Sequence, residues 1–297
     1  MSQEIVKKSS KKENTLSKIS GYGSGKADVV MSVDQVAKEA AAISSSAPNI
    51  NKLEELAYNK PFLSINNLKA GYGKMEILHD FNFKIAKGQS LCLIGPNGAG
   101  KSTVLHSIFG FTNIFSGSII VDGQDVTKLT PSKKLAKAGI AYILQDKSVF
   151  PQMTVEENLL MGGFLKNKPS EAKVAAEMVF DKYSRLAERR NKPAGVLSGG
   201  ERRLLEISRA LVMQPNILLV DEPSIGLEPR FIDMVFGILE DLQKKDGKTI
   251  IMVEQNAKKG LEFADIGYVM VSGQTAIAGS GDELLENPDV GRLFLGG

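Results

Sequence analysis

The run Gly95-Pro96-Asn97-Gly98-Ala99-Gly100-Lys101-Ser102-Thr103 constrains the fold more than any other part of the chain. It has the spacing G-x-x-x-x-G-K-[ST], follows an apolar strand-like run over Ser90–Gly95, and opens a helical pattern at Val104, Leu105, Ile108 and Phe109. A glycine-rich turn between a buried strand and a helix lets main-chain N–H groups converge on phosphate oxygens, and the helix N-terminus adds positive potential. In that chemistry Gly95, Pro96, Asn97, Gly98, Ala99, Gly100 and Thr103 form the cradle. Lys101 reaches the β- and γ-phosphates, and the Ser102 hydroxyl serves as a ligand for Mg2+.

A second strand end carries complementary chemistry. Asn216–Val220 is apolar and runs into Asp221-Glu222. Ligands bind at the carboxyl ends of strands in open α/β sheets, where two adjacent carboxylates can project together. Asp221 is suited to hold Mg2+, directly or through water, and Glu222 to orient and deprotonate an attacking water.

Further buried-strand runs recur at Ile140–Leu144, Thr249–Val253 and Tyr268–Val271, with helical patterns between several of them. The reading is an α/β chain with a mostly parallel sheet and helices on both faces. Phe62–Ile65 and Ile77–Ile85 alternate in hairpin fashion around Gly71-Tyr72-Gly73, and Ser118–Val121 is another short strand, which predicts a small antiparallel portion. Between Val155 and Leu211 the periodicity is almost entirely helical, an insertion into the α/β core.

Within that insertion, Leu197-Ser198-Gly199-Gly200-Glu201 leads straight into a helix over Arg202–Leu211. A serine and two glycines could cap any helix. Lying between a phosphate loop and an acidic strand end, they also suit a second phosphate-binding helix end, offered to a nucleotide held by another subunit.

Residues 1–60 differ from the rest. Lys7, Lys8, Lys11 and Lys12 among serines make a polar, basic start, and Gly21-Tyr22-Gly23-Ser24-Gly25 reads as linker. Short helices are expected after Ser32 with Gln35, ahead of Val33, Val36, Ala37 and Ala40, and after Asn51 with Glu54. The expected division is a flexible extension over 1–60 and one domain over 61–297, with a helical subdomain over about 146–210.

Composition narrows the setting. A net charge of +3 is too small to argue for nucleic acid or an anionic membrane surface as partner. The single cysteine, Cys92, excludes a disulfide framework and fits a reduced cytosolic protein. No segment approaches the ~18 consecutive apolar residues that span a bilayer, so a membrane role would come through a partner chain.

The phosphate loop, Gln145, Leu197–Glu201, Asp221-Glu222 and the loop Ser224–Pro229 stand in an order that resembles ATP-binding cassette (ABC) ATPases. The resemblance covers roughly residues 61 to 297. Met153-Thr154-Val155-Glu156-Glu157-Asn158-Leu159, Gly226-Leu227-Glu228-Pro229, Val253-Glu254-Gln255-Asn256-Ala257 and the ending Phe294-Leu295-Gly296-Gly297 look like the ATPase subunits of branched-chain amino acid importers. The resemblance implies ATP and Mg2+ as cofactors, with the ABC core joined by an antiparallel β subdomain and a helical subdomain. Tyr72 would stack on adenine. Gln145 would sense γ-phosphate and Mg2+, completing a cation set with Ser102 and Asp221, while Asp146–Met153 would face the membrane partner. Ser198, Gly199 and Gly200 would bind the γ-phosphate of ATP held by the opposite subunit, and Ser224–Glu228 would run along the seam.

Three departures from the superfamily stand out. Most members carry a histidine after the strand at Thr249–Val253, where this chain has Gln255. An amide can donate to γ-phosphate but cannot carry a proton at neutral pH, which leaves Glu222 as the base. The two histidines, His79 and His106, lie upstream and read as structural or surface residues. Glu201 replaces a common glutamine and should point away from nucleotide, and Glu228 replaces a common aspartate.

The function so implied is the cytoplasmic ATPase subunit of an importer for branched-chain or related amino acids, peripheral on the inner face of the membrane. It would pair with a second ABC ATPase, a heterodimer before a homodimer, act on integral permease subunits and depend indirectly on a periplasmic solute-binding protein. The competing readings are a lipopolysaccharide-export ATPase and a soluble ABC ATPase of the iron–sulfur assembly type. Urea and amide systems use closely similar subunits, so the solute itself is not legible.

Overall fold

The computed structural model describes residues 48–145 and 148–295. A six-stranded sheet forms its centre, in the order β10-β9-β3-β8-β7-β6. Its strands are β3 (Ser90–Ile94), β6 (Ile140–Ile143), β7 (Ile217–Asp221), β8 (Thr249–Val253), β9 (Ile266–Val271) and β10 (Gln274–Ser280). All neighbours pair in parallel except β10, which returns antiparallel to β9.

The parallel strands read as continuous apolar runs because both faces are covered. Leu91 and Leu93 of β3, Ile217 and Leu219 of β7, and Ile251 and Val253 of β8 point into one core, shared with Val104, Leu105 and Ile108 of α2 (Lys101–Phe109). The alternate residues Cys92, Ile94, Leu218, Val220, Ile250 and Met252 point into a second core. That core also takes Val235, Phe236, Leu239 and Leu242 of α8 (Pro229–Lys244). A strand with period-2 side chains thus separates two helix layers.

A second, antiparallel sheet has the order β2-β1-β4-β5, from β1 (Pro61–Tyr72), β2 (Met75–Ala86), β4 (Asn113–Val121) and β5 (Gln124–Asp125). The hairpin turn falls at Gly73-Lys74, later than Gly71-Tyr72-Gly73, because Gly71 and Tyr72 remain in register with Glu76 and Met75. Sequence periodicity misses the two-residue β5 and also β10, whose small residues, Ala276, Ala278 and Gly279, give a weak alternation signal.

After α3 (Pro131–Ala138) and β6 comes the helical block: α4 (Val155–Gly162), α5 (Pro169–Lys182), α6 (Ser184–Ala187) and α7 (Gly199–Leu211). It has its own core of Val155, Leu159, Val179, Phe180, Leu186 and Leu205. α9 (Ala257–Phe263), α10 (Gly281–Glu286) and α11 (Pro288–Phe294) complete the fold.

Part of the expected extension is built into the body. α1 (Ile50–Leu56) is capped by Asn49, two residues before the expected Asn51, and buries Leu53 against β2 and β10. Glu54 receives the Lys84 ammonium, and Gln89 Nε2 donates to Leu56 O at 3.0 Å. The helix expected after Ser32 and the Gly21–Gly25 linker lie outside the described residues, as do Asp146, Lys147, Gly296 and Gly297.

Lys134 of α3 is fully buried, and its Nζ donates to Ser107 O (3.1 Å). Burial holds its pKa down to about 8. The unfolded chain therefore keeps a proton that the folded chain releases above that pH, so this lysine's contribution to stability is lost as pH falls through about 8. Lys134→Met should be more stable than the unmutated chain near neutral pH and lose that advantage as pH approaches the ordinary lysine pKa of ~10.4. Urea unfolding across that range checks it; an advantage that grows with pH contradicts it.

Candidate active site

The glycine-rich loop joins the carboxyl end of β3 to α2, as its spacing requires. Gly95 has φ +145°, and a Cβ there would lie 2.2 Å from Met270 O on β9, so the main chain can pass only without a side chain. Lys101 is the first residue of α2 and is buried; its Nζ donates to Gly95 O (2.8 Å) and Pro96 O (3.1 Å). Burial lowers the pKa of this ammonium, while Glu222 and Asp221 draw it back up.

Asp221 ends β7, beside the loop. Its Oδ1 accepts from Ser102 Oγ (3.3 Å) and its Oδ2 from Tyr142 Oη (2.8 Å). Ser102 and Asp221 are both residues expected to hold Mg2+; Tyr142 is a partner that the sequence reading did not name. Tyr142 is the one residue with a polar group in the otherwise apolar strand β6, which is the only signal it gives. Burial, then the neighbouring Asp221, push its phenol pKa upward, so the hydroxyl stays protonated and donates.

Gln145, the third residue of the expected cation set, meets Glu222. Its Nε2 donates to Glu222 Oε2 at 2.7 Å, which aims it at the candidate base while Ser102 and Asp221 meet each other. Glu222 has φ +43°, a left-handed backbone that costs a non-glycine residue roughly 1–2 kcal/mol. Its N–H donates to Val253 O of β8 (2.8 Å). Burial and then Asp221 raise the carboxyl pKa, opposed by Lys101, which moves Glu222 toward the proton affinity a general base needs. Gln255 is exposed on the loop that follows β8.

Tyr72, the last residue of β1, is 44% exposed, leaving ring surface available for a base. Its Oη lies 2.5 Å from Nδ1 of His106, whose ring packs 5.7 Å from Tyr142. His106 therefore bridges the tyrosine that ends β1 and the tyrosine on Asp221, a closer involvement than its sequence position suggested. Burial lowers its pKa, opposed by Asp221, which favours the neutral ring.

Ser198 is the N-cap of α7, and its Oγ accepts from Glu201 N (3.3 Å). In return Glu201 Oε2 accepts from Ser198 N and Ser198 Oγ, each at 2.9 Å. The Ser198 backbone N–H is the main cause holding the Glu201 pKa low, with Arg189 3.4 Å away as a further contributor. Glu201 is thus turned back onto its own cap. Gly200 packs so closely that a Cβ would lie 2.3 Å from Phe231 of α8. Among the described residues no hydrogen bond joins Ser198, Gly199 or Gly200 to Gly95–Thr103.

Arg203 of α7 ties this helix to the strand ends. Its guanidinium donates to Leu144 O (2.7 Å), Asp221 O (3.4 Å) and Glu206 Oε2 (2.9 Å), and both charged groups are buried. Beside it a cleft of about 360 Å3 is lined by Tyr142, Ile143, Phe150, Met161, Phe164 and Arg209. Its rim is fixed by buried Asn158, which donates to Phe150 O and Thr154 O (both 2.9 Å) and accepts from Phe150 N (2.8 Å).

Residues 78–225 match the family model described as ABC transporter. The chain is 42% identical over 235 residues to the high-affinity branched-chain amino acid transport ATP-binding protein BraG of Pseudomonas aeruginosa, covering 79% of this chain and 100% of that one. It is 39% identical over 229 residues to the probable branched-chain amino acid transport ATP-binding protein LivF of Archaeoglobus fulgidus, covering 77% and 96%. Among solved structures it resembles a nucleotide-free ATP-binding cassette from an ABC transporter, with a TM-score of 0.70 and 28% identity over 79% of this chain and 98% of that one.

Proposed function

Since the chain belongs to the ABC transporter family, as an ATP-hydrolysing nucleotide-binding subunit, we propose that it drives import of branched-chain or related amino acids through a separate permease. The observation that carries the catalytic part is the cluster at the carboxyl ends of β3, β7 and β8. Ser102 and Asp221 meet beside Lys101, and Glu222 is held by Gln145 next to them. Similarity over the whole length of BraG and 79% of this chain supports the choice of solute class.

In this reading ATP phosphates lie in the Gly95–Thr103 cradle with adenine on Tyr72. Lys101 exchanges its contacts with Gly95 O and Pro96 O for phosphate oxygens. The hydroxyl of Ser102 and the carboxylate of Asp221 are hard oxygen donors of the kind Mg2+ prefers, and would hold it. Bound there, Mg2+ neutralises charge developing on the phosphates. Glu222 takes the proton of the attacking water, while Gln145 and Gln255 contact the γ-phosphate region by amide donation.

The engagement of Ser198 with Glu201, away from the phosphate loop of its own chain, supports a composite site. Ser198, Gly199 and Gly200 would serve ATP on a second subunit, a related ATPase rather than another copy. The cleft beside Phe150 and Phe164 would receive the permease on the cytoplasmic face, with a periplasmic binding protein supplying solute from the other side. Among the described residues no helix is long and apolar enough to cross a membrane, in keeping with docking on a partner.

Affinity purification from native membranes should recover an integral permease and a second ATP-binding subunit, and the reconstituted complex should take up labelled leucine only with ATP. Recovery of soluble partners alone would overturn the transport reading. Recovery of this chain as the sole ATPase would replace the heterodimer with a homodimer.

A further inference from the structure

Glu254 is a buried carboxylate that the catalytic reading above leaves unused. It is 2% exposed and directly follows β8. Among the described residues no lysine, arginine or histidine forms an ion pair with it; three hydrogen-bond donors from two loops surround it instead. Oε1 accepts from Ser224 Oγ (2.7 Å) and Asn256 N (2.9 Å), and Oε2 accepts from Ser224 N (3.3 Å). A buried charge persists only where donors satisfy it, so this arrangement fixes both loops at once.

Space for the side chain is built in. A Cβ on Gly260 of α9 would fall 3.1 Å from Glu254 Cβ and 2.6 Å from Cys92 Sγ, so the glycine clears the pocket that the Glu254 stem fills. The two loops flank the candidate base. Ser224 lies two residues beyond Glu222, and Glu254 adjoins Val253, whose carbonyl accepts the Glu222 N–H at 2.8 Å. Glu222 sits in a left-handed backbone that relaxes unless its surroundings hold it.

We infer that Glu254 is a positioning residue for hydrolysis: by binding Ser224 and the Asn256 amide it holds Glu222 in its left-handed conformation and sets Gln255 on the same framework. This rests on Glu222 being the base. Both oxygens of this buried carboxylate are taken up by Ser224 and Asn256, so its effect is on turnover and not on ATP affinity. A carboxylate is needed because all three partners donate. Glutamine would turn an N–H₂ toward one of them.

The test uses the full-length chain and four variants: Glu254→Gln, Ser224→Ala, Ser224→Thr and the double variant Glu254→Gln/Ser224→Ala. Displacing a catalytic group by about 1 Å can cost up to ~10²-fold, so Glu254→Gln and Ser224→Ala should each lower kcat by roughly tenfold or more. KM for ATP should stay unchanged, the double variant should be no slower than the slower single one, and Ser224→Thr should retain activity. Amide hydrogen exchange at Glu222 should accelerate in Glu254→Gln, without loss of protection in β3 or β9. Losses that multiply in the double variant, or a kcat equal to that of the unmutated chain, would overturn the inference. So would unchanged exchange at Glu222, whether or not the chain hydrolyses ATP. An unmutated chain that fails to hydrolyse ATP in its assembled complex would instead overturn the functional reading.

Discussion

Glu222→Gln should lower steady-state ATP hydrolysis on the order of 10²–10⁴-fold, the usual loss when a general base is removed, while ATP binding and ATP-driven pairing persist. The substitution preserves shape, and a glutamine oxygen can still accept the Gln145 amide that now reaches Glu222 Oε2. Lys101, Ser102 and Asp221 are untouched, so charge stabilisation of the phosphates remains. Rapid-quench measurement of turnover, with nucleotide-dependent dimerisation followed by sedimentation, separates the two effects. Turnover equal to that of the unmutated chain would remove Glu222 from the role. Because burial and Asp221 raise the Glu222 pKa, activity should fall on the acid side at a higher pH than an ordinary glutamate would give. The same shift has a stability consequence of fixed sign. A folded-state pKa above the unfolded one favours the folded chain below the unfolded value, and that contribution is lost as pH rises through the folded value.

Arg203→Met should cost about 3–5 kcal/mol of stability, the loss typical when one member of a buried ion pair is removed and the other stays behind. Glu206 would keep a charge with its partner gone, in a site where both side chains are buried. The carbonyls of Leu144 and Asp221 would also lose a donor. Those carbonyls belong to the residue before Gln145 and to the candidate cation ligand, so hydrolysis should fall together with stability. Urea unfolding reads the first effect. Replacing Arg203 and Glu206 together with apolar residues should recover much of the stability, since burying two charges carries its own penalty. A single-variant loss within the error of the measurement would show that the pair contributes nothing.

The motifs legible in the sequence are those whose chemistry is local. Gly95–Thr103 carries its strand, turn and helix within one stretch, and Asp221-Glu222 closes an apolar strand; both lie where their patterns require. The contacts that organise the site are long-range and leave little trace. Tyr142 meets Asp221 across 79 positions, Gln145 meets Glu222 across 77, and Arg203 reaches back 59 positions to Leu144. No periodicity encodes such pairings. Glu254 could have been suspected, since like Asp221 it is an acid at the end of a buried parallel strand. The hairpin was legible and its turn was misplaced, because Gly71 reads as a turn residue yet continues the ladder.

The docking of α1 also fixes an order of events during synthesis. Residues 50–56 are made before every strand of either sheet, but the surface that receives them is formed by β2 and by β10, residues 274–280. At ribosomal rates of about 5–20 residues per second, roughly ten to forty seconds separate the two. Through that interval Leu53 and Ala57 have no complete seat, and the ATPase core must be finished before α1 can close upon it. A segment made before every strand is therefore among the last to find its place, and its seating marks a chain translated through β10.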